Sequence, residues 1–184
     1  MEKLIDLMRK AIKLKSIKRK GWLRRGIENA ESVADHTFML AFLAMIVGDF
    51  LGMDTEKMVK MALLHDIAES VTGDITPHEM EREEKVRMEE NIMKKMMEGM
   101  EEMGYYEIWK EFMEGRSREA EMVRQLDKLE MILQAHQYSE IYGKEKVEEF
   151  MEEKVENPML VSIIKKWNSL PSSSNINDSP HHHI

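Results

Sequence analysis

Cysteine is absent from the 184-residue sequence. Its absence excludes disulfide bonds, zinc–thiolate sites and cysteine nucleophiles. Any metal that the protein binds must therefore be held by histidine and carboxylate side chains. Such nitrogen and oxygen ligands suit Mn, Co, Fe, Ni, Zn or Mg, and they do not by themselves choose among these metals.

Long hydrophobic runs are also lacking. The longest uncharged stretch covers residues 37–48, which is far shorter than the roughly 20 residues that a membrane-spanning helix needs. The opening residues, MEKLIDLMRK, lack the apolar core of a signal peptide. We therefore expect no membrane span and a cytoplasmic location.

Proline and glycine are scarce, at four and nine residues, and this leaves room for long helices. No segment alternates apolar and polar residues as a half-buried strand does, whereas apolar residues do recur at helical spacing. Ser32, Asp54 or Thr55, and Ser117 stand where helix N-caps are expected. The sequence thus predicts an all-α bundle of about six to eight helices. Their expected ranges are 2–16, 32–51, 54–68, 81–103, 105–114, 117–139, 143–155 and 158–168, with loops at 17–30 and 69–80.

The composition is 42% hydrophobic and 34% charged, which is typical of a globular protein. We expect a single domain over residues 1–170 and a flexible tail over residues 171–184, whose HHH could derive from a tag. The net charge of −8 argues against nucleic-acid binding by the whole surface.

Basic side chains are nevertheless concentrated near the N-terminus, where residues 9–25 contain nine of them and no acid. Those on the first helix are expected to form a solvated face. Arg19, Lys20 and Arg25, together with Arg24, lie in the following loop and are candidates for binding phosphate. Trp22 in the same loop could stack on a base or sugar, or it could anchor the loop.

The pair His65-Asp66 ends the apolar run of MALLHDIAE. An imidazole and a carboxylate entering the core are costly unless they are paired or bound to a metal. Glu69 follows at a spacing that places it on the same helix side. By itself, such a pair is more often a satisfied core histidine with a capping aspartate than a metal site.

Two further residues change this reading. His36 lies in the first turn of its predicted helix, and Asp127 lies on a partly apolar stripe of another. A surface ion pair with Arg124 or Lys128 could account for Asp127 alone. The order H…HD…D on three helices instead predicts a metal site inside a bundle, with ligand positions left open for water.

Three segments carry a resemblance to a known family: LKSIKRKGWLRRGIENAESVADH, ALLHDIAESVTGDITP and VRQLDKLEMILQA. They resemble the HD-domain metal-dependent phosphohydrolases, within the branch of 5′-deoxynucleotidases, HD domain-containing protein 2-like and oxetanocin-like proteins. The resemblance covers most of residues 10–168, and HDIAESVTGD is far more specific than HD alone. It implies an HD-domain helical bundle.

The resemblance also implies a role for each matching residue. One divalent metal ion, with Mn or Co favoured, would be bound by His36, His65, Asp66 and Asp127. Glu69 would act as acid or base beside the reactive water, and Asp74 would contact the deoxyribose. Where relatives have an adjacent Arg-Trp pair that rejects the ribose 2′-hydroxyl, this sequence reads Arg19-Lys20-Gly21-Trp22.

The function that the resemblance implies is removal of phosphate from (deoxy)nucleoside 5′-monophosphates by a water that the metal activates, in a homodimer. Alternatives within the family are cyclic-nucleotide phosphodiesterase and dNTP triphosphohydrolase activity. A non-catalytic nucleic-acid-binding helical protein is a further alternative, although Trp22 is the only aromatic among the basic residues. The last alternative is a structural helical dimer with a vestigial site, and the retained Glu69 argues against it.

Overall fold

A computed structural model describes residues 1–169 of the chain. The tail predicted at residues 171–184 lies outside the described residues. Helices account for most of the described part. They are α1 (Glu2–Lys13), α2 (Lys20–Arg24), α3 (Val33–Leu51), α4 (Thr55–Leu64), α5 (Glu69–Thr72), α6 (Arg82–Met97), α7 (Tyr105–Glu114), α8 (Arg118–Tyr142), α9 (Glu148–Met151) and α10 (Pro158–Trp167), with 3₁₀ turns at Leu14–Ser16, Glu101–Met103 and Lys144–Lys146.

The all-α prediction is confirmed. Within residues 1–169, extended pairing is limited to one isolated bridge, between Lys18 and Ser32. Seven helices in the same range have ten or more residues, in agreement with the expected number, while α2, α5 and α9 have five or fewer.

Several predicted boundaries are wrong, for local reasons. The helix predicted over 81–103 ends at Met97, and the range predicted as a loop at 69–80 begins with α5. The range predicted as one loop, 17–30, contains α2. The helix predicted to reach residue 68 ends at Leu64, because backbone hydrogen bonds then connect residues three apart, which makes a tighter turn before α5. The helix predicted over 143–155 is reduced to a 3₁₀ turn and α9, because Gly143 adopts φ 92°.

The start of α3 follows the sequence signal closely. Ser32 Oγ accepts a hydrogen bond from the backbone nitrogen of Asp35, and the Asp35 carboxylate accepts one from the backbone nitrogen of Ser32. This reciprocal capping box satisfies two N–H groups at the helix start. It also places His36 in the first turn, where its side chain is fully buried.

The main core lies between α3, α4 and α8. Each helix contributes apolar side chains at helical spacing, which is how an amphipathic helix buries one face. The members include Leu40, Leu43, Ala44 and Val47 from α3, Met58, Met61 and Ala62 from α4, and Val123, Leu126 and Leu129 from α8. These three helices also carry, or lead directly into, the residues of the predicted metal site.

By length and composition α3 could cross a membrane. A core helix has the same composition, and α3 contributes eight buried residues, among them His36, to the interior of the bundle. We therefore interpret α3 as the central helix of the fold.

Candidate metal centre and substrate groove

The four residues of the predicted metal site converge at one point. His36 Nε2 lies 3.2 Å from His65 Nε2 and 3.2 Å from Asp127 Oδ1. Asp66 Oδ2 lies 2.9 Å from His65 Nε2 and 4.0 Å from His36 Nε2. One potential ligand atom from each of His36, His65 and Asp127 lies within 4.8 Å of the others. Helices α3 and α8 and the turn after α4 thus bring these side chains together.

The second ring nitrogen of each histidine is already engaged. His65 Nδ1 donates to the backbone carbonyl of Ala62 at 2.6 Å, and His36 Nδ1 lies 2.6 Å from Glu130 Oε2. Such contacts fix the orientation of each ring and direct Nε2 towards the centre. Sequence reasoning missed Glu130. The signal was its spacing of three residues from Asp127, which places both on one face of α8.

A second acid supports this arrangement from the loop. Glu31 belongs with His36 and Glu130 to a cluster of potential ligand atoms within 4.8 Å, and Glu31 Oε1 accepts from Trp22 Nε1 at 2.9 Å. Burial and the negative charge of Glu130 together raise the pKa of Glu31 to about 7. Glu31 can therefore carry the proton that two adjacent buried carboxylates must share.

The electrostatics of the centre suit a divalent cation. Burial opposes ionisation of Asp66, but the neighbouring His65 and Arg19 hold its pKa far below the ordinary range. Burial likewise opposes ionisation of Asp127, and its hydrogen bond with His36 lowers its pKa. Burial lowers the pKa of His36, yet hydrogen bonds to Asp127 and Glu130 outweigh it and raise the pKa to about 10. Two ionised carboxylates around two imidazoles form a donor set that fits such a metal ion, which would displace the proton from Nε2 of His36 on binding.

Glu69 begins α5 beside this centre and is only 2% exposed. Its Oε1 accepts from Lys85 Nζ at 3.0 Å, while Oε2 has no hydrogen-bond partner among the described residues. Burial and the charge of Asp66 raise the pKa of Glu69 to about 9, although the charge of Lys85 opposes them. Sequence reasoning missed Lys85, because only the tertiary fold brings this residue of the charged helix α6 to Glu69.

Of the basic residues predicted to bind phosphate, some lie at the candidate metal centre and others lie away from it. Arg19 Nη1 reaches Asp66 Oδ2 at 3.5 Å. The side chain of Lys20 instead donates to Glu79 at 2.7 Å, and its backbone nitrogen donates to Asp74 Oδ2 at 2.5 Å. Arg25 donates to the backbone carbonyls of Lys146 and Glu145 at 2.8 and 2.9 Å, which ties α2 to the turn before α9.

Trp22 anchors the loop. Only 2% of its surface is exposed, and its ring packs at centroid distances of 5.2 Å from Tyr138 and 4.2 Å from Phe150. A side chain so enclosed has little surface left for stacking on a nucleic acid, which weakens the alternative of a single-strand binder.

A groove crosses the centre and consists of two arms. The aromatic arm has a volume of about 290 Å³ and the basic arm about 360 Å³. Asp66, Asp127, Lys85 and Lys128 line both arms, so the candidate metal centre lies at their junction. The aromatic arm is also lined by Arg19, Gly21, Trp22, Glu69, Asp74, Ile75, Thr76, Pro77, Met131 and Phe150. The basic arm is also lined by His65, Arg82, Val86, Glu89, Phe112, Met113 and Arg124.

Curated proteins include several that are similar to this chain over most of its length. The 5′-deoxynucleotidase HDDC2 of Danio rerio is 35% identical over 177 residues, covering 91% of this chain and 88% of that protein. The human 5′-deoxynucleotidase HDDC2 is 35% identical and covers 89% and 83%. The 5′-deoxynucleotidase YGK1 of Saccharomyces cerevisiae is 34% identical and covers 84% and 74%.

Solved structures show the same fold. A conserved hypothetical protein from Pyrococcus furiosus matches with a TM-score of 0.77 and 33% identity, over 90% of this chain and 99% of that one. A protein from Pyrococcus horikoshii OT3 matches with a TM-score of 0.77 and 35% identity, over 88% and 96%. The sequence profile of the HD domain matches residues 11–162. These matches confirm the resemblance that HDIAESVTGD indicated, and the chain belongs to the HD domain family.

Proposed function

We propose that this protein is a metal-dependent phosphohydrolase that removes phosphate from nucleoside 5′-monophosphates, with preference for the deoxy forms. The observation that carries the proposal is the convergence of His36, His65, Asp66 and Asp127 at the junction of the groove. The curated relatives that are about 35% identical to this chain are named 5′-deoxynucleotidases, which supports the same reaction.

The four converging side chains would hold one divalent ion. Imidazole and carboxylate donors accept several metals, and the resemblance to the 5′-deoxynucleotidase branch favours Mn or Co among them. Such an ion supplies Lewis-acid polarisation of a phosphate oxygen and lowers the pKa of a bound water. The carboxylates remain ionised in the fold, and Glu130 and Ala62 orient the two imidazoles.

Glu69 is placed to move a proton. It lines the aromatic arm next to Asp66 and has one carboxyl oxygen without a hydrogen-bond partner in the described range. A raised pKa lets this carboxyl hold a proton near neutral pH and deliver it to the leaving 5′ oxygen, or it can orient the attacking water when ionised. Lys85 fixes the other oxygen and so sets the direction of the carboxyl group.

The aromatic arm suits a sugar and a base. Asp74 lines it, and the backbone nitrogen of Lys20 holds this carboxylate in place, so that one of its oxygens can accept from a deoxyribose hydroxyl. Met131 and Phe150 supply apolar surface on the same arm. Arg19, which already faces Asp66, can contact the phosphate at the junction.

The subunit partner that we propose is a second copy of this chain. The outer face of α3 exposes large apolar side chains, with Phe38 70% and Phe50 79% exposed, and Phe42 and Ile46 lie between them. An apolar cavity of about 360 Å³ continues this face towards Leu133, Ile163 and Trp167. Contiguous exposed apolar surface of this kind marks an interface, and symmetric dimers are the commonest oligomers.

A phosphate-release screen tests the proposed reaction. The chelated protein is reloaded with one divalent ion at a time and assayed on a panel of ribo- and deoxymononucleotides. We expect phosphate release from deoxymononucleotides with Mn or Co, and no release by the Asp66→Ala variant. Equal rates for the variant and the unaltered protein would show that the phosphatase lies elsewhere or is a contaminant.

A further inference from the structure

The groove extends beyond the position proposed for a nucleoside monophosphate. If the nucleoside lies in the aromatic arm and its phosphate at the junction, then the basic arm, of about 360 Å³, is left over. Asp66 and Asp127 line both arms, so a phosphate at the junction borders the basic arm directly. The lining of that arm therefore indicates what could be attached to the phosphate.

The basic arm holds four cationic side chains, from Arg82, Lys85, Arg124 and Lys128. Lys85 is engaged with Glu69 and Glu89, and Lys128 contacts only the carbonyl of Lys154, at 3.3 Å, in the described part of the chain. Beyond the carboxylates at the junction, the one acid in the lining is Glu89, which Lys85 already pairs. The arm therefore carries excess positive charge in a protein whose net charge is −8.

Arg82 and Arg124 account for this excess together with Lys128, which also lacks an acidic partner within residues 1–169. Most arginines of the chain are matched by an acid, whereas neither of these two forms an ion pair within residues 1–169. Those that are paired there are Arg19, Arg24, Arg25, Arg87, Arg116 and Arg118.

The two arginines approach the arm from different helices. Arg82 is the first residue of α6, and Arg124 is half-buried on α8. Arg124 precedes Asp127 by three residues and so lies about 4.5 Å from it along the helix axis, on the same side. The guanidinium of Arg124 packs against Gly115 at the end of α7 and lines the basic arm, where it can bind phosphate oxygens through two N–H groups at once.

We propose that the basic arm is a subsite for a second phosphate group, linked to the one at the junction. A nucleoside 5′-diphosphate would place its α-phosphate at the junction and its β-phosphate between Arg82 and Arg124. This inference rests on the proposed function, because that function assigns the first phosphate to the junction. It follows that nucleoside diphosphates bind more tightly than monophosphates and compete with them, and that pyrophosphate binds more tightly than orthophosphate.

Calorimetric titration of the metal-loaded protein with pyrophosphate and with orthophosphate tests the subsite directly. We expect roughly tenfold or tighter binding of pyrophosphate, the scale of one additional charge-assisted contact. The double variant Arg82→Gln/Arg124→Gln should lose this advantage. Arg87→Gln on α6 and Arg118→Gln on α8 remove the same charge outside the groove and should keep it. Metal content measured after each titration shows whether pyrophosphate has extracted the ion.

Inhibition of dAMP hydrolysis by dADP provides a second, independent test of the subsite. The ratio of dADP to dAMP affinity should fall in the double variant and not in the two controls. If orthophosphate loses as much affinity as pyrophosphate in the double variant, the arm binds free phosphate and the linked subsite is refuted. Equal binding of pyrophosphate and orthophosphate by the unaltered protein refutes it too.

The two proposals can fail separately. If the protein hydrolyses no mononucleotide but prefers pyrophosphate through Arg82 and Arg124, the proposed reaction is refuted and the proposed subsite stands. If the protein hydrolyses dAMP and shows no preference for pyrophosphate, the proposed subsite is refuted and the proposed reaction stands.

Discussion

Glu130 Oε2 lies 2.6 Å from Nδ1 of His36, and both side chains are buried. This contact determines which ring nitrogen of His36 faces Asp127 and His65. A carboxylate in this position also increases the basicity of the imidazole, which strengthens its bond to a metal.

The Glu130→Gln variant should therefore bind its metal roughly 10–100-fold more weakly, the usual effect of losing such a supporting carboxylate. Calorimetric titration of the metal-free variant with Mn or Co measures this change. Glu140→Gln, an exposed acid on the same helix, is the matched control and should bind metal normally. Unchanged metal affinity in a folded Glu130→Gln protein would remove the positioning role.

Metal removal should abolish the activity and lower the melting temperature. Binding to the folded state alone stabilises a protein by about 2.7 kcal/mol when the free ion is at 100 times its dissociation constant. Thermal unfolding with and without EDTA, followed by readdition of Mn or Co, measures the effect. The Asp66→Ala variant lacks one donor, so the same ions should no longer raise its melting temperature.

Changing Glu69 to Gln separates proton transfer from metal binding. The variant keeps the size of the side chain and the four converging donors, so metal content should remain near that of the unaltered protein. Turnover of dAMP should fall roughly 10²–10⁴-fold, the range expected for losing a general acid or base. Glu84→Gln, an exposed acid on α6, is the control. If the Glu69→Gln variant kept its full metal content and wild-type turnover, another acid would have to transfer the proton, and Asp74 is the next candidate.

Glu79 anchors the loop after α5, and this anchoring depends on pH. Hydrogen bonds from Lys20 and from the Thr76 backbone lower the pKa of Glu79 to about 2. Because the folded pKa is depressed, this anchoring is complete above the ordinary glutamate pKa of about 4.3 and is lost as the pH falls towards 2. Carboxyl NMR titration should show this value and a rise towards the ordinary one in Lys20→Met. An ordinary Glu79 pKa in the unaltered protein contradicts the contact.

Substitution on the outer face of α3 should separate the proposed dimer. Phe38→Asp and Phe50→Asp place a charge at largely exposed positions, where the subunit itself should lose at most about 0.5 kcal/mol of stability. Light scattering should then report a dimer for the unaltered protein and a monomer for the double variant. Met103→Asp alters an exposed apolar residue away from this face and should leave the mass unchanged. A monomeric unaltered protein would refute the dimer.

Much of the fold could be predicted because it depends on local signals. Ser32 with Asp35, Asp54 and Ser117 all act as helix caps where the sequence placed them. The boundaries that failed depend on competition between similar local structures. After Leu64 the chain follows a tight turn instead of continuing its helix, and the energy difference between the two is small.

The candidate site was partly visible in the sequence for a similar reason. His36, His65 and Asp127 each lie on an apolar helix face, where an unpaired polar group is costly, so the pattern itself asks for a partner. Lys20 and Arg25 carried no comparable signal. A basic residue in a loop can bind phosphate, an acid or a backbone carbonyl, and here they bind Glu79 and the turn before α9.

Periodicity, composition and motif spacing are properties of the chain, so they sufficed to predict the helical class, the donor types available to a metal and the family. Three other relationships depend on how the helices pack: Glu130 supports His36, Lys85 holds Glu69, and Arg82 and Arg124 face one arm of a groove. Lys85 and Glu69 are 16 residues apart, and His36 and Glu130 are 94 apart. Such pairs meet only because α6 lies beside the start of α5 and α3 packs against α8, and residue spacing along a helix does not encode them.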